Sequence, residues 1–490
     1  MILATTVLCL GFSASAADLG YEQALEQALS RNPTIQIAGA GVERADGALL
    51  AARATFETTL NANTSSSSTV TQSPQLQGVN IDDRNSNFGT TLARYFPTGT
   101  TTSLSWQTRQ STTLYLAENQ SALDQLRNFG LINEDIRYQS SLVATMRQSL
   151  LEGFRMSANL QGVRNAQRAR DQADATRLRT RQEILAQTAR AYWELWYQRR
   201  RVDIAEQGLQ VAREEQRIVS LKVEQGTLAQ VEQVRVDATV VQAESNLLAA
   251  KTGARAASNT LQVLVGGFPG TELALTTDPV EPRDLSLDPE AVVQSALDNN
   301  PELQALRLVS SNSELNVIDA RHRRLPQLDV NGSFGLIGLD QAPASNTNVG
   351  MGSANTNMFQ GDARTWSVGA DVSVPLGNRA DRGAIDQAKA DLRTARLDVE
   401  ARERTLSQEV RTQVDTLKTT AQQVSLAEAN LRLAEATLGA ERALTDAGRS
   451  VQKNVLEAMR AVDDARLNVE KAKADYSVAI IELERLKGSL

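Results

Sequence analysis

A 490-residue chain with one histidine and one cysteine has little to work with for side-chain catalysis. A hydrolase relay needs an imidazole beside a Ser or Cys nucleophile, and a structural or catalytic zinc needs three or four His, Cys or carboxylate ligands in one place. His322 sits in "ARHRRLP" among Arg321, Arg323 and Arg324, where it reads as one of several basic residues near a membrane surface. Cys9 lies in the opening stretch "MILATTVLCLGFSASA". No His/Cys metal cluster and no Ser-His-Asp or Cys-His machinery is available. No P-loop is present, so no nucleotide-driven chemistry is expected of the chain itself. The residue inventory points to a protein that is not an enzyme and needs no cofactor or metal.

The opening stretch is itself informative. Its apolar run ends in Ala14-Ser15-Ala16, the small-x-small pattern of a signal-peptidase site, with cleavage expected before Ala17. Cys9 follows Leu8 where a lipoprotein signal would want Gly, Ala or Ser, so it reads as signal-peptide filler, with a lipid anchor as the alternative. No Lys or Arg precedes the apolar run, which points to a true start upstream of Met1. Without Cys9 the mature chain has no thiol chemistry and no disulfides. Beyond the signal no apolar run of about 18 residues occurs, which leaves two expectations: a soluble periplasmic protein, or one that crosses a membrane as β-strands. The net charge of −7, with Lys and Arg interspersed among Asp and Glu, argues against nucleic acid. Aromatics at 4% are too sparse for one large compact core and favour elongated helices packed through Ala, Val and Leu.

The elements that organise these residues come in duplicate. "ALSRNPTIQ" at 28–36 returns as "ALDNNPELQ" at 296–304, an offset of 268. From Ala166 and Ala388 the offset is 222, and it holds to Gly266 and Gly488. The first copy therefore carries 46 extra residues, located in its extended segment. Each copy ends in a heptad seam, Val236, Val240, Ala243, Leu247, Ala250 to Leu264 in one and Ala458, Val462, Ala465, Val469, Ala472 to Leu486 in the other. Val231, Val234, Ala238, Val241 and Leu248 form a second apolar flank, as a helix in a closed ring requires. A Pro-free stretch from about 155 to 224 predicts a long helix that Gly226 stops. Thr227 and Gln230 fit a capping box for the return helix over 228–265. Pro33 and Pro301 suit the first turn of their helices.

Period-two alternation marks strands. Trp366, Val368, Ala370, Val372 and Val374 fall on one side, and Ser367, Gly369, Asp371 and Ser373 on the other. Thr102, Leu104 and Trp106 alternate likewise, as do Leu328, Val330, Gly332, Phe334 and Leu336. A membrane barrel with Trp106 and Trp366 in its aromatic girdle and a soluble sandwich both produce this period. "YFPTGTTTSLSW" (95–106) reads as strand, tight turn, strand, so the insert supplies an extra pair. The polar stretches 65–87 and 339–363 read as exposed loops. "AYWELWY" sets Tyr192 with Trp196 and Trp193 with Tyr197 at i, i+4 spacing, in core packing beneath a mid-helix belt. "RRR" at 199–201 reads as a solvated helix face.

The ordered set resembles the TolC-type outer membrane channel proteins of bacterial efflux and type I secretion, also called outer membrane factors. The residues that carry the resemblance are the two "NP" helix starts, "SLLEGFR" and "VPLGNRA" leading into long helices, "ARAYWEL" at 189–195, and the turns "VEQGTLAQVEQVRVDA" and "TDAGRSVQKNVLEAMRA". It divides the chain into a signal peptide (1–16), a first structural repeat (17–266, strands about 56–149, helical hairpin about 155–266), a linker (267–287) and a second repeat (288–490, strands about 325–376, hairpin about 380–488).

The resemblance implies a mainly α fold with a transmembrane β segment: tandem-duplicated coiled-coil hairpins forming an α-barrel, and a trimeric outer membrane β-barrel. It implies a homotrimer in outer membrane lipid, working passively with a periplasmic adaptor and an inner-membrane efflux pump or ABC exporter. Four strands per chain, or six with the insert, cannot close a pore alone. The turns at Gly226, Thr227, Gly448 and Arg449 become the inner-membrane end where an adaptor docks. Glu232, Asn454 and Glu457 match the positions of the acidic gate rings that such channels carry, with Asn454 departing from the usual Asp. A periplasmic adaptor is the alternative reading and would show one helical hairpin flanked by compact β-domains.

Overall fold

In the computed structural model the described residues are 17–74, 78–117, 120–130, 132, 135–270, 273–282, 287–343, 349–361, 363–374 and 376–490. The expected signal peptide at 1–16, with Cys9, lies outside them. The chain begins with β1 (Ala17–Leu19), α1 (Tyr21–Arg31) and α2 (Pro33–Arg53). Four strands follow, β2 (Thr58–Gln72), β3 (Val79–Tyr95), β4 (Thr100–Ala117) and, after α3 (Gln120–Asn128), β5 (Asp135–Ser149). The short α4 (Met156–Asn159) leads into α5 (Gln161–Glu224), which returns as α6 (Gln230–Leu264) before β6 (Leu273–Leu275). Then come α7 (Pro289–Asn299), α8 (Pro301–Arg323), β7 (Gln327–Pro343), α9 (Met351–Gln360), β8 (Ala363–Ser373), α10 (Arg379–Asp446) and α11 (Gln452–Lys487).

Two compact units form. One comprises the chain up to Arg44, Asp171–Val309 and Ala395–Leu490; the other comprises Ala45–Arg170 and Ser310–Thr394. The first is helical, apart from a two-stranded parallel ribbon of β1 and β6. At 64 residues α5 spans about 96 Å, a length that propensity cannot hold in place by itself; burial of the heptad seams does so. Every seam position of α11 from Ala458 to Leu486 is buried, and in α6 Val236, Val240, Ala250, Ala257 and Leu261 are buried, while Ala243, Leu247, Ala254 and Leu264 are half-buried. The second flank of α6 is open: Val234, Val241 and Leu248 are each more than 60% exposed.

Around "AYWELWY" the core expectation holds, but the partners differ. Tyr192, Trp193 and Trp196 are buried, and the described ring contacts run from Tyr21 of α1 to Tyr192 (centroids 5.5 Å apart) and to Trp193 (5.3 Å), and between Tyr192 and Trp193 (5.1 Å). The i, i+4 pairs are replaced because the buried face of α5 meets α1 and β1: the Tyr192 hydroxyl donates to the Leu19 carbonyl. Burial pushes the Tyr21 hydroxyl up to about 12. Within "RRR", Arg200 lies over the Trp196 ring at 5.3 Å and bridges to Asp278 at 3.3 Å, so this residue is more than a solvated charge.

The second unit carries a six-stranded antiparallel sheet in the order β2-β3-β4-β5-β7-β8. Four strands of this sheet come from the stretch that holds the insert and two from its counterpart, six in all among the described residues. The register aligns Leu60, Leu92, Leu104, Ala144, Phe334 and Trp366 in one cross-strand row. Two residues along each strand, Ala62, Thr90, Trp106, Leu142, Leu336 and Arg364 form the next row on that face. The row next to Leu60 on its other side, Thr59, Ala93, Ser103, Thr145, Ser333 and Ser367, belongs to the opposite, polar face, where Ser103 bonds Thr145 at 2.6 Å and Ser333 bonds Ser367 at 2.7 Å.

Composition leads to the expectation that the polar stretches 65–87 and 339–363 are exposed loops, but much of each is regular structure. Residues 65–72 extend β2, 79–87 lie in β3, 339–343 complete β7, and 351–360 form α9. Ser and Asn are poor strand formers by themselves, but here every residue from Thr58 to Gln72 has a partner in β3 between Arg94 and Asn80, and pairs such as Ser66–Ser86 tie the side chains.

Candidate functional site

The two hairpin turns are built alike. Gly226 and Gly448 adopt φ of 74° and 71°, the left-handed conformation that only glycine takes without strain. The Gly226 N–H donates to the Val223 carbonyl at 2.9 Å and the Thr227 N–H to the Lys222 carbonyl at 2.9 Å. In the second turn Gly448 donates to Thr445 at 3.0 Å and Arg449 to Leu444 at 2.8 Å, the same Schellman closure.

The capping-box expectation fails here. Ala229 is the N-cap of α6 and Val451 that of α11, and neither offers a side-chain cap. The Thr227 hydroxyl instead donates back to the Lys222 carbonyl at 2.7 Å, closing α5 rather than opening α6. α6 begins only after Leu228, which packs against an apolar cluster of Val219, Val223, Val236, Leu456 and Met459, and after the extended Ala229. That cluster also joins the two hairpins near their turns, where the Gln452 amide donates to the Glu215 carboxylate.

The expected gate residues sit in the first turns of the return helices. Glu232 and Asn454, at equal positions 222 residues apart, each follow an N-cap by three residues, where the helix dipole favours an anion. Glu232 is mostly buried: its Oε1 lies 2.9 Å from Arg235, and its Oε2 is enclosed with no protein partner among the described residues. Asn454 donates to the Ser450 hydroxyl at 3.1 Å. Glu457 is open to solvent, 3.3 Å from Lys453 on the same helix. Each glutamate therefore carries a cation on its own helix. Sequence reasoning passed over Arg235 and Lys453, although i, i+3 and i, i+4 spacing would have exposed both.

The "NP" motif acquires a second role. Asn32 is 4% exposed; its Oδ1 accepts from the Thr34 N–H at 2.9 Å and its Nδ2 donates to the Leu264 carbonyl, at the end of α6, at 2.8 Å. Asn300 repeats this, accepting from Glu302 at 3.1 Å and donating to the Leu486 carbonyl, at the end of α11, at 3.2 Å. One amide thus caps a starting helix and a finishing one at the same time. Elsewhere on α11, burial raises the pKa of Asp463, opposed by Arg466 and reinforced by Asp464.

A periplasmic adaptor would present a single hairpin; this chain presents two, with a six-stranded sheet. His322 lies in the last turn of α8 with its Nε2 enclosed and without a hydrogen-bond partner among the described residues.

The chain is 23% identical over 335 residues to the outer membrane protein TolC of Vibrio cholerae, covering 66% of this chain and 72% of that protein. It is 25% identical over 378 residues to the alkaline protease secretion protein AprF of Pseudomonas aeruginosa, covering 76% and 74%. The fold matches the Campylobacter jejuni CmeC outer membrane channel with a TM-score of 0.67 at 15% identity, over 96% of this chain and 85% of that one. The profile of the outer membrane efflux proteins matches residues 79–267 and 292–489, each span ending in one of the long helical hairpins, and the chain belongs to that family.

Proposed function

We propose that three copies of this chain close one outer membrane β-barrel continued by a periplasmic helical tunnel, forming a passive duct for export of small molecules or proteins. The observation that carries this reading is a six-stranded sheet with two unpaired edges, β2 and β8, exposed at every position, and a face of aligned Leu, Phe and Trp. An open edge is not tolerated in lipid, and six strands are too few to close on themselves, whereas three copies supply eighteen. The helices ask for the same solution: α6 leaves Val234, Val241 and Leu248 open, and α10 leaves Leu426 and Leu433 open, stripes that a neighbouring copy would cover.

In this assembly the turns at Gly226, Thr227, Gly448 and Arg449 face the inner membrane and receive a periplasmic adaptor, while an inner-membrane efflux pump or ABC exporter supplies cargo and energy. Glu232, Asn454 and Glu457 line the narrow end, where carboxylates concentrate cations. The purified full chain in detergent should run as a trimer, and in planar bilayers it should give discrete conductance steps. A monomer that leaves bilayers silent would overturn the duct.

A further inference from the structure

The connection from β7 to β8 holds α9, "MGSANTNMFQ", ten residues with no charged side chain. It lies at the end of the sheet opposite the strand ends that join the long helices, since α8 leads into β7, β8 into α10 and β5 into α4 and α5. The face it covers is the apolar one. The Trp106 indole N–H donates to Asn355 Oδ1 at 3.2 Å, and Trp106 shares its row with Leu142 and Leu336. In the following row Thr108 and Ser140 are fully buried, and the missing Cβ of Gly338 leaves room for the Ala354 carbonyl and the Met358 amide. Ala354 and Met358 are buried, and two polar ties hold the helix down: Gly350 N–H to Asp340 at 3.0 Å and Asn357 Nδ2 to the Leu339 carbonyl at 2.9 Å.

What remains uncovered is Phe359, 69% exposed, with Met351 at 41%. A water-facing loop helix has no reason to present Phe and Met while carrying no charge. Continuous with a lipid-facing band, the same composition suits the boundary between headgroups and acyl chains. We propose that α9 is an interfacial helix, with Phe359 and Met351 seated among lipid acyl chains at the outer rim of the barrel. This rests on reading the face of Phe334 and Trp366 as lipid-facing.

The test uses the full chain with Cys9→Ser, so that one introduced cysteine carries a fluorophore, reconstituted in phosphatidylcholine vesicles with and without brominated lipid, the bromines placed near the headgroup for position 359 and deep in the acyl chain for positions 368 and 333. With Phe359→Cys, brominated lipid should reduce emission by roughly half while aqueous iodide quenches little. Val368→Cys reports the apolar face and Ser333→Cys the polar face. Iodide quenching at position 359 without lipid quenching places α9 in water and overturns the proposal. Protection from both quenchers places Phe359 against a second copy and overturns it as well. If the label at 368 is untouched by lipid, the lipid-facing assignment itself has failed.

Discussion

Replacing Asn32 by Asp separates the two jobs of its amide. At an open N-cap Asn and Asp are nearly equivalent, because only the oxygen is used. Here the oxygen caps Thr34 and the nitrogen satisfies the Leu264 carbonyl at 2.8 Å, in a site only 4% exposed. Asn32→Ala loses the cap, about 1 kcal/mol, and strands a buried carbonyl, about 1–3 kcal/mol, so roughly 2–4 kcal/mol is expected. Asn32→Asp keeps the cap but sets a carboxylate against a carbonyl oxygen, and should cost about 1–3 kcal/mol at pH 8. Protonating that carboxylate restores a donor toward Leu264. Its folded pKa is then raised, so the stability it contributes is complete at low pH and is lost as pH rises through the folded value. The deficit of Asn32→Asp should therefore shrink toward pH 5, while that of Asn32→Ala should not. Denaturant midpoints by far-UV circular dichroism in detergent read this out, and Asn300→Asp should behave alike. Equal stability of Asn32→Asp and wild type at pH 8 would refute the two-helix clamp.

Val368→Arg places a charge on the apolar face and should cost about 2–4 kcal/mol near the bilayer midplane, whereas Ser367→Arg on the polar face should be tolerated; trimer yield and thermal stability compare the two. Burial raises the Asp463 pKa, so the folded state prefers the neutral acid: that contribution is full below the ordinary carboxylate pKa and lost as pH rises through the folded value. Asp463→Asn should therefore raise the melting temperature most at neutral pH, and an advantage that persists unchanged in acid would contradict this. Glu232→Gln with Glu457→Gln should lower cation selectivity and divalent-cation block in single-channel recordings, and Arg235→Ala, which frees Glu232, should raise selectivity; no change in either would remove these residues from the gate.

Features written in local spacing were legible in the residue string. The heptad seams, the glycine turns at Gly226 and Gly448, the proline starts and the alternation around Trp366 each depend on residues within a few positions of one another. The duplication was legible too, since it is a comparison of the string with itself. Tertiary structure decided what depends on partners far along the chain. Asn32 meets Leu264 and Asn300 meets Leu486, pairings 232 and 186 residues apart, so "NP" showed a helix start but not a clamp. Tyr21 displaced the expected i, i+4 aromatic pairs because α1 and β1 cover that face of α5. The strands run on through Ser and Asn because their neighbours supply the hydrogen bonds that composition cannot reveal. At Thr227 both a cap for α6 and a closure of α5 were open to the hydroxyl; burial of Leu228 beneath Val219, Val236 and Leu456, the last from the other hairpin, chose the closure.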